Sequence, residues 1–141
     1  MIDIENYVVN MVSEQLKDET PKVNLVSSHV RTPSKFPCVM VYESGSKTLE
    51  TTRWIDGKER HAELRYTVSV CTNDKTGKKE NAKRIFKKID DVMQGMGFFR
   101  ASRNFDFQAA ESSIFTITAA YRGLVGEGAD ESETNMYVYR R

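Results

Sequence analysis

Apolar residues near the start of the chain fall at Ile4, Tyr7, Val8, Met11, Val12 and Leu16. These steps of three and four predict an amphipathic helix over residues 3–18, with Asp3 as N-cap and Pro21 as stop. Lys22 to His29 is short and partly alternating (Val23, Leu25), and Pro33 and Pro37 predict a loop before a strand at Cys38 to Glu43. Lys47 to Trp54 and Glu59 to Thr72 flank Ile55-Asp56-Gly57-Lys58, whose Asp-Gly pair signals the tight turn of a long hairpin. On the second arm Ala62, Leu64, Tyr66, Val68 and Val70 share one face and Glu63, Arg65, Thr67 and Ser69 the other, the alternation of a half-buried antiparallel strand. A polar turn, Thr72 to Gly77, then leads into a helix at about Gly77 to Met96. Its apolar stripe is Ala82, Ile85, Phe86, Ile89, Val92, Met93 and Met96, and Gly97 suits a left-handed C-terminal cap. Phe98 to Phe107 and Ser113 to Val125 read as two more strands, and Met136 to Tyr139 alternates again.

Two helices among five or six strands joined by tight turns or single crossovers predict an α+β fold: an antiparallel sheet with two amphipathic helices packed on one face. The 141 residues suffice for one domain with one core. That domain is expected over residues 1–125. Residues 126–141 form an acidic C-terminal arm, with an inter-subunit role as one use for it. The N-terminus lacks a basic region followed by an apolar core, and no apolar stretch reaches the ~20 residues of a membrane span. A chain made and kept in a cytoplasm is expected, with no membrane partner.

Charge changes the picture locally. With 21 Lys and Arg against 20 Asp and Glu, the net charge of +1 argues against a dedicated nucleic-acid binder. Yet Lys75 to Lys88 holds seven bases and one acid, Glu80, whereas Glu127, Asp130, Glu131 and Glu133 form a run without a base. Such opposed patches let one copy attract the next. Within the second helix Lys78 and Lys79 occupy the first turn, and Asp90 and Asp91 lie near the last. Both placements oppose the helix dipole at about 0.3 to 1 kcal/mol each, as a partner-facing surface would tolerate; a solvated face with Lys87 paired to Asp91 is the plainer reading. Lys78, Lys79, Lys83 and Lys87 are therefore candidate interface residues. So are Arg53 and Trp54, residue types enriched where partners dock, although Trp54 equally suits a core cap.

Catalytic chemistry finds little support. His29 and His61 are the only near-neutral bases, and neither stands in a recognisable motif. Thr76-Gly77-Lys78-Lys79 lacks the first glycine and the terminal hydroxyl of a phosphate loop. Cys38 and Cys71 lie within apolar strands and read as buried free thiols. No cofactor or metal is expected.

The assembled pieces resemble the tail terminator (tail completion, or head-tail joining) proteins of long-tailed bacteriophages. The matching residues are Phe36-Pro37-Cys38-Val39-Met40-Val41-Tyr42-Glu43, then His61 with Tyr66-Thr67-Val68-Ser69-Val70-Cys71-Thr72-Asn73, and Gly77-Lys78-Lys79. They continue through Ala82, Ile85, Ile89-Asp90, Met93 and Met96-Gly97-Phe98-Phe99-Arg100 to Ile114-Phe115-Thr116-Ile117-Thr118-Ala119-Ala120-Tyr121. The likeness covers most of residues 1–125 and rests on spaced apolar and turn residues.

The resemblance implies an α+β virion subunit without a chemical step. Six copies form a ring on the finished tail tube, end its polymerisation and offer a surface to the neck of the head. Its partners are itself, the tail tube protein and a neck or head-completion protein, with the sheath added if the tail is contractile; DNA only passes through the lumen. The acidic segment, with Tyr137 and Tyr139 beyond it, lies outside the matching pattern, and these residues are candidates for contact with a neighbouring subunit. Readings from other classes are a nucleic-acid-binding adaptor that uses the lysine-rich helix and, more distantly, a small hydrolase.

Overall fold

Helix α1 (Glu5–Leu16) begins later than the sequence predicts: Ile4, not Asp3, holds the N-cap position, and Asp3 acts from one residue before it. The Asp3 carboxylate accepts the Glu5 N–H at 3.1 Å, and Ile4, Val8, Val12 and Leu16 are buried along one stripe. The structure, a computed structural model, describes residues 3–19, 22–30, 33–48, 61–108, 111–126 and 138–139. After α1 come strands β1 (Asn24–Val26), β2 (Cys38–Thr48) and β3 (His61–Thr72), helix α2 (Lys78–Gly95), and strands β4 (Phe99–Gln108), β5 (Glu111–Gly126) and β6 (Val138–Tyr139).

The sheet runs β1-β2-β3-β5-β4, with β6 on β5. Because β3 pairs with β5 from Phe115 to Gly126, the pairing of β6 with Leu124 and Val125 occupies the opposite edge of β5. There it lies beyond Arg122, where β4 begins. The end of the C-terminal segment thus pairs within the chain's own sheet. Both helices pack on one face, α1 beside α2 and against β2, α2 against β3, β5 and β4. This is the α+β architecture the pattern predicts, with two differences. β1 runs parallel to β2, Asn24 opposite Cys38, so the sheet is mostly rather than wholly antiparallel. And β2 continues to Thr48, where a break after Glu43 is expected. Ser44 is absorbed as the extra residue of a bulge between Glu43 and Gly45, and Gly45 and Ser46 pair on with Arg65 and Leu64. The hairpin tip, with the Asp56-Gly57 turn, lies outside the described residues.

The alternation in β3 places Ala62, Leu64, Tyr66, Val68 and Val70 under the helices, each 0 % exposed, beside Phe115, Ile117, Ala119 and Tyr121 of β5. From α2, Ala82, Ile85, Phe86, Ile89 and Met93 are buried, while Val92 and Met96 pack partly against this core. On the outer face Cys38, Met40, Cys71 and Ile114 form a smaller apolar cluster, covered by Val30 and Phe36 from the β1–β2 connection. Cys38 and Cys71 are opposite one another in register, and both are free and buried as expected. Burial, then the neighbouring Cys71, pushes the Cys38 thiol up to about 11.

Helix α2 ends in a paired cap. The Phe98 N–H donates to the Met93 carbonyl at 3.1 Å and the Gly97 N–H to the Gln94 carbonyl at 2.9 Å, with Gly97 at φ 102°. The two helices are clasped by Glu19, whose side chain is 5 % exposed; Arg84 Nη1 reaches its Oε2 at 2.8 Å and Lys88 Nζ the same oxygen at 2.6 Å. Burial alone would push this carboxyl up. The hydrogen bonds and charges of Lys88 and Arg84 outweigh it and hold Glu19 below its ordinary value of 4.5.

Two expectations follow for stability. Gly97→Ala forces a side chain into the left-handed region and lowers unfolding free energy by about 1–2 kcal/mol, whereas Gly95→Ala, with open space around the added methyl, raises it by about 0.5 kcal/mol; urea denaturation of the pair reads both. Glu19→Gln costs about 1–2 kcal/mol at neutral pH. Because the folded carboxyl is the more acidic form, that stabilisation is complete above the unfolded value and disappears as pH falls through the folded one. Urea midpoints of wild type and variant therefore converge as pH is lowered below about 4.5.

Candidate interaction surface

The turn before α2 is anchored by its own polar residues. The Thr72 hydroxyl donates to the Lys78 carbonyl at 2.8 Å, Asn81 donates to Asp74 at 2.9 Å, and Gly77 takes φ 75° at the boundary. This fixes the rotation of α2, and the 100° step between residues then divides its basic run into two flanks. Arg84 and Lys88 face α1 and are held by Glu19. Lys79, Lys83 and Lys87 follow one another at four-residue steps, ~6 Å apart, on the exposed flank toward β4. Lys78 is half-buried at the first turn.

The structure corrects the reading of the helix's acidic end. Asp90 is not a partner-facing charge. Its Oδ1 accepts the Tyr121 hydroxyl at 2.6 Å and lies 3.1 Å from Arg100 Nη1, and its Oδ2 accepts from Gln94 at 2.8 Å. Burial, then Asp90, pushes the Tyr121 hydroxyl above its ordinary value, so it stays a donor. The ion pairs described for α2 run to Glu19 and Arg100; among the described residues Lys87 and Asp91 form no pair.

Two residues the sequence analysis missed extend the basic flank. A bulge at Ala101, between the pairs Arg100–Tyr121 and Ser102–Ala120, lets Arg100 and Arg103 share the helix-side face although they are three apart. The Arg103 guanidinium lies 5.8 Å from the Phe86 ring centre, and Arg100 reaches Asp90. Strict alternation assigns them to opposite faces, so no local signal finds them. Of the other candidates, Arg53, Trp54, Glu127, Asp130, Glu131, Glu133 and Tyr137 lie outside the described residues, and Tyr139 is placed by its backbone opposite Leu124.

A second polar cluster marks the start of α1. Glu5 Oε2 accepts the Glu43 N–H of β2 at 2.9 Å, and the fully buried Tyr66 hydroxyl lies close to these carboxylates. Burial, then Glu43, Glu5 and Asp3, raises the Tyr66 hydroxyl and keeps it neutral. Among the described residues no group of three or more His, Cys, Asp and Glu is arranged to hold a metal ion, and no helix is long and apolar enough to cross a membrane.

Neither a protein-family model nor a curated protein matches the chain.

The division of α2 into structural and surface charges is testable by thermal and urea unfolding. Asp90→Ala leaves the buried Tyr121 hydroxyl unpaired and costs about 2–3 kcal/mol. Lys79→Glu and Lys87→Glu, both at exposed positions, stay within about 0.5 kcal/mol of wild type.

Proposed function

We propose that this protein is a tail terminator of a long-tailed bacteriophage: a virion assembly subunit, without a chemical step, that closes as a ring of six on the completed tail tube. It ends tube polymerisation and presents the attachment surface for the head. The observation that carries the reading is the resemblance running through Phe36–Glu43, Tyr66–Asn73, Met96–Arg100 and Ile114–Tyr121. These residues belong to β2, β3, the exit of α2 with β4, and β5, which form one continuous framework. The segregation of charge adds support. A ring subunit meets its neighbour through two different surfaces, and the chain carries both basic surface and an acidic run at residues 127–133. A chain of net charge +1 also has little hold on DNA passing through the lumen.

The basic flank also favours a second reading, a nucleic-acid-binding adaptor, which predicts affinity for DNA that falls steeply with salt.

The deciding experiment is an assembly assay with and without the protein. Its absence yields tails past normal length that fail to join heads, and imaging of complete tails finds the protein only at the head-proximal end. Normal tails without it, or copies along the whole tube, overturn the reading. The triple variant Lys79→Glu, Lys83→Glu, Lys87→Glu remains folded but fails in tail completion, because like charges brought together at an interface cost several kcal/mol. Normal completion by that variant removes this flank from the interface.

A further inference from the structure

On the face of the sheet away from the helices, one cross-strand row differs from its surroundings. Gly45 of β2, Arg65 of β3, Arg122 of β5 and Phe99 of β4 are successive register partners. Arg65 and Arg122 are thus directly opposite one another, an arrangement that like charges disfavour. Phe99 is a large apolar side chain that is 59 % exposed. The Arg122 guanidinium sits 5.9 Å from its ring centre. Arg65 donates to Glu63 at 3.3 Å, and its stem passes over Gly45, where an added Cβ would lie 3.6 Å from Arg65 Cδ. Arg122 has no ion pair among the described residues. On one side the adjoining positions of this face in β3, β5 and β4 are the small Thr67, Ala120 and Ser102, and on the other stand Glu63 and Leu124, so the arginines and the ring stand above a low surface on one side, held rigid by the sheet.

Two arginines and an exposed aromatic on a rigid support are the residue types that anchor protein interfaces. Guanidinium groups pair with carboxylates through two parallel hydrogen bonds, and the ring supplies apolar contact beside them. The charge demands an acidic occupant. The chain carries its own: four acids and no base between Glu127 and Glu133.

We propose that Arg65, Arg122 and Phe99 form a docking site for the acidic run of residues 127–133 of a second copy of this chain. The site deepens the ring reading, on which it rests for the identity of the partner, and it lies on the face opposite α2. Carboxylates of the incoming segment pair with Arg122 and Arg65, and its backbone and small side chains cover Phe99. Two copies then meet through unlike surfaces, as closure of a ring requires.

The test uses the full chain and a labelled synthetic peptide of residues 126–135, with binding read by fluorescence anisotropy and self-association by sedimentation velocity. The wild type binds the peptide and self-associates. Arg122→Glu and Phe99→Ala each weaken both by roughly tenfold or more while keeping the wild-type circular dichroism and urea midpoint. A peptide with its four acids changed to amides binds as weakly as the wild-type peptide does to Arg122→Glu. Arg122→Lys, which keeps the charge and loses the paired geometry, falls between.

Failure of the wild type to bind the peptide overturns the proposal, as does equal binding by a folded Arg122→Glu variant. Binding of a short DNA duplex that depends on Arg122, without peptide binding, overturns it in favour of a nucleic-acid partner. Peptide binding seen only when the chain's own four acids are changed to amides overturns it in favour of occupancy within one chain. Tail length in the absence of the protein is measured separately, so failure of the docking site and failure of the terminator reading are told apart.

Discussion

Twelve consecutive residue pairs join β3 to β5 without a bulge, from His61 opposite Gly126 to Thr72 opposite Phe115. Every other feature takes its position from this unbroken central ladder. It decides which side chains go under the helices and which face outward, and a slip of one residue would exchange the two sets. The helix-side set, Tyr66 and Tyr121 with Val68, Val70, Ile117 and Ala119, is almost completely excluded from water. The outward set includes Thr67, Ser69, Thr116, Thr118 and Ala120 beside Arg65 and Arg122. Ser69 and Thr118 place their hydroxyls 3.3 Å apart on that face. The cost of moving the aromatic set into water fixes the register far more firmly than backbone pairing alone.

The flanking strands are less regular, and their irregularities re-aim charge. The bulge after Glu43 leaves Gly45 under the stem of Arg65, and the bulge at Ala101 brings Arg100 and Arg103 to the helix side while Phe99 faces outward. One short segment of β4 therefore serves both surfaces considered for partners: Arg103 beside the lysine flank of α2, and Phe99 beside Arg122. A rigid scaffold holds each, which limits the ordering cost on association.

The charges of α2 divide by the same geometry. Arg84 and Lys88 neutralise a carboxylate that α1 delivers at its end, and Asp90 joins α2 to both β4 and β5 through Arg100 and Tyr121. These contacts remove three charges from the pool that looks available for partners. Lys79, Lys83 and Lys87 form the exposed basic row of the helix.

Local periodicity was enough to locate both helices, the β3 alternation, the left-handed exit at Gly97 and the burial of Cys38 and Cys71, because those features depend on neighbours within a turn or along one strand. The same holds for the lysine row at four-residue steps, the part of the predicted interface that, among the described residues, lies on a single flank. What only the tertiary structure decided involves residues distant in sequence: the parallel seat of β1, Glu19 against Arg84 and Lys88 across 65 and 69 positions, and Tyr121 on Asp90 across 31. The Arg65–Arg122–Phe99 row belongs with them. A bulge changes which face a residue takes without changing composition, and a cross-strand neighbour depends on register with another strand, so neither leaves a periodic trace in the chain that carries it.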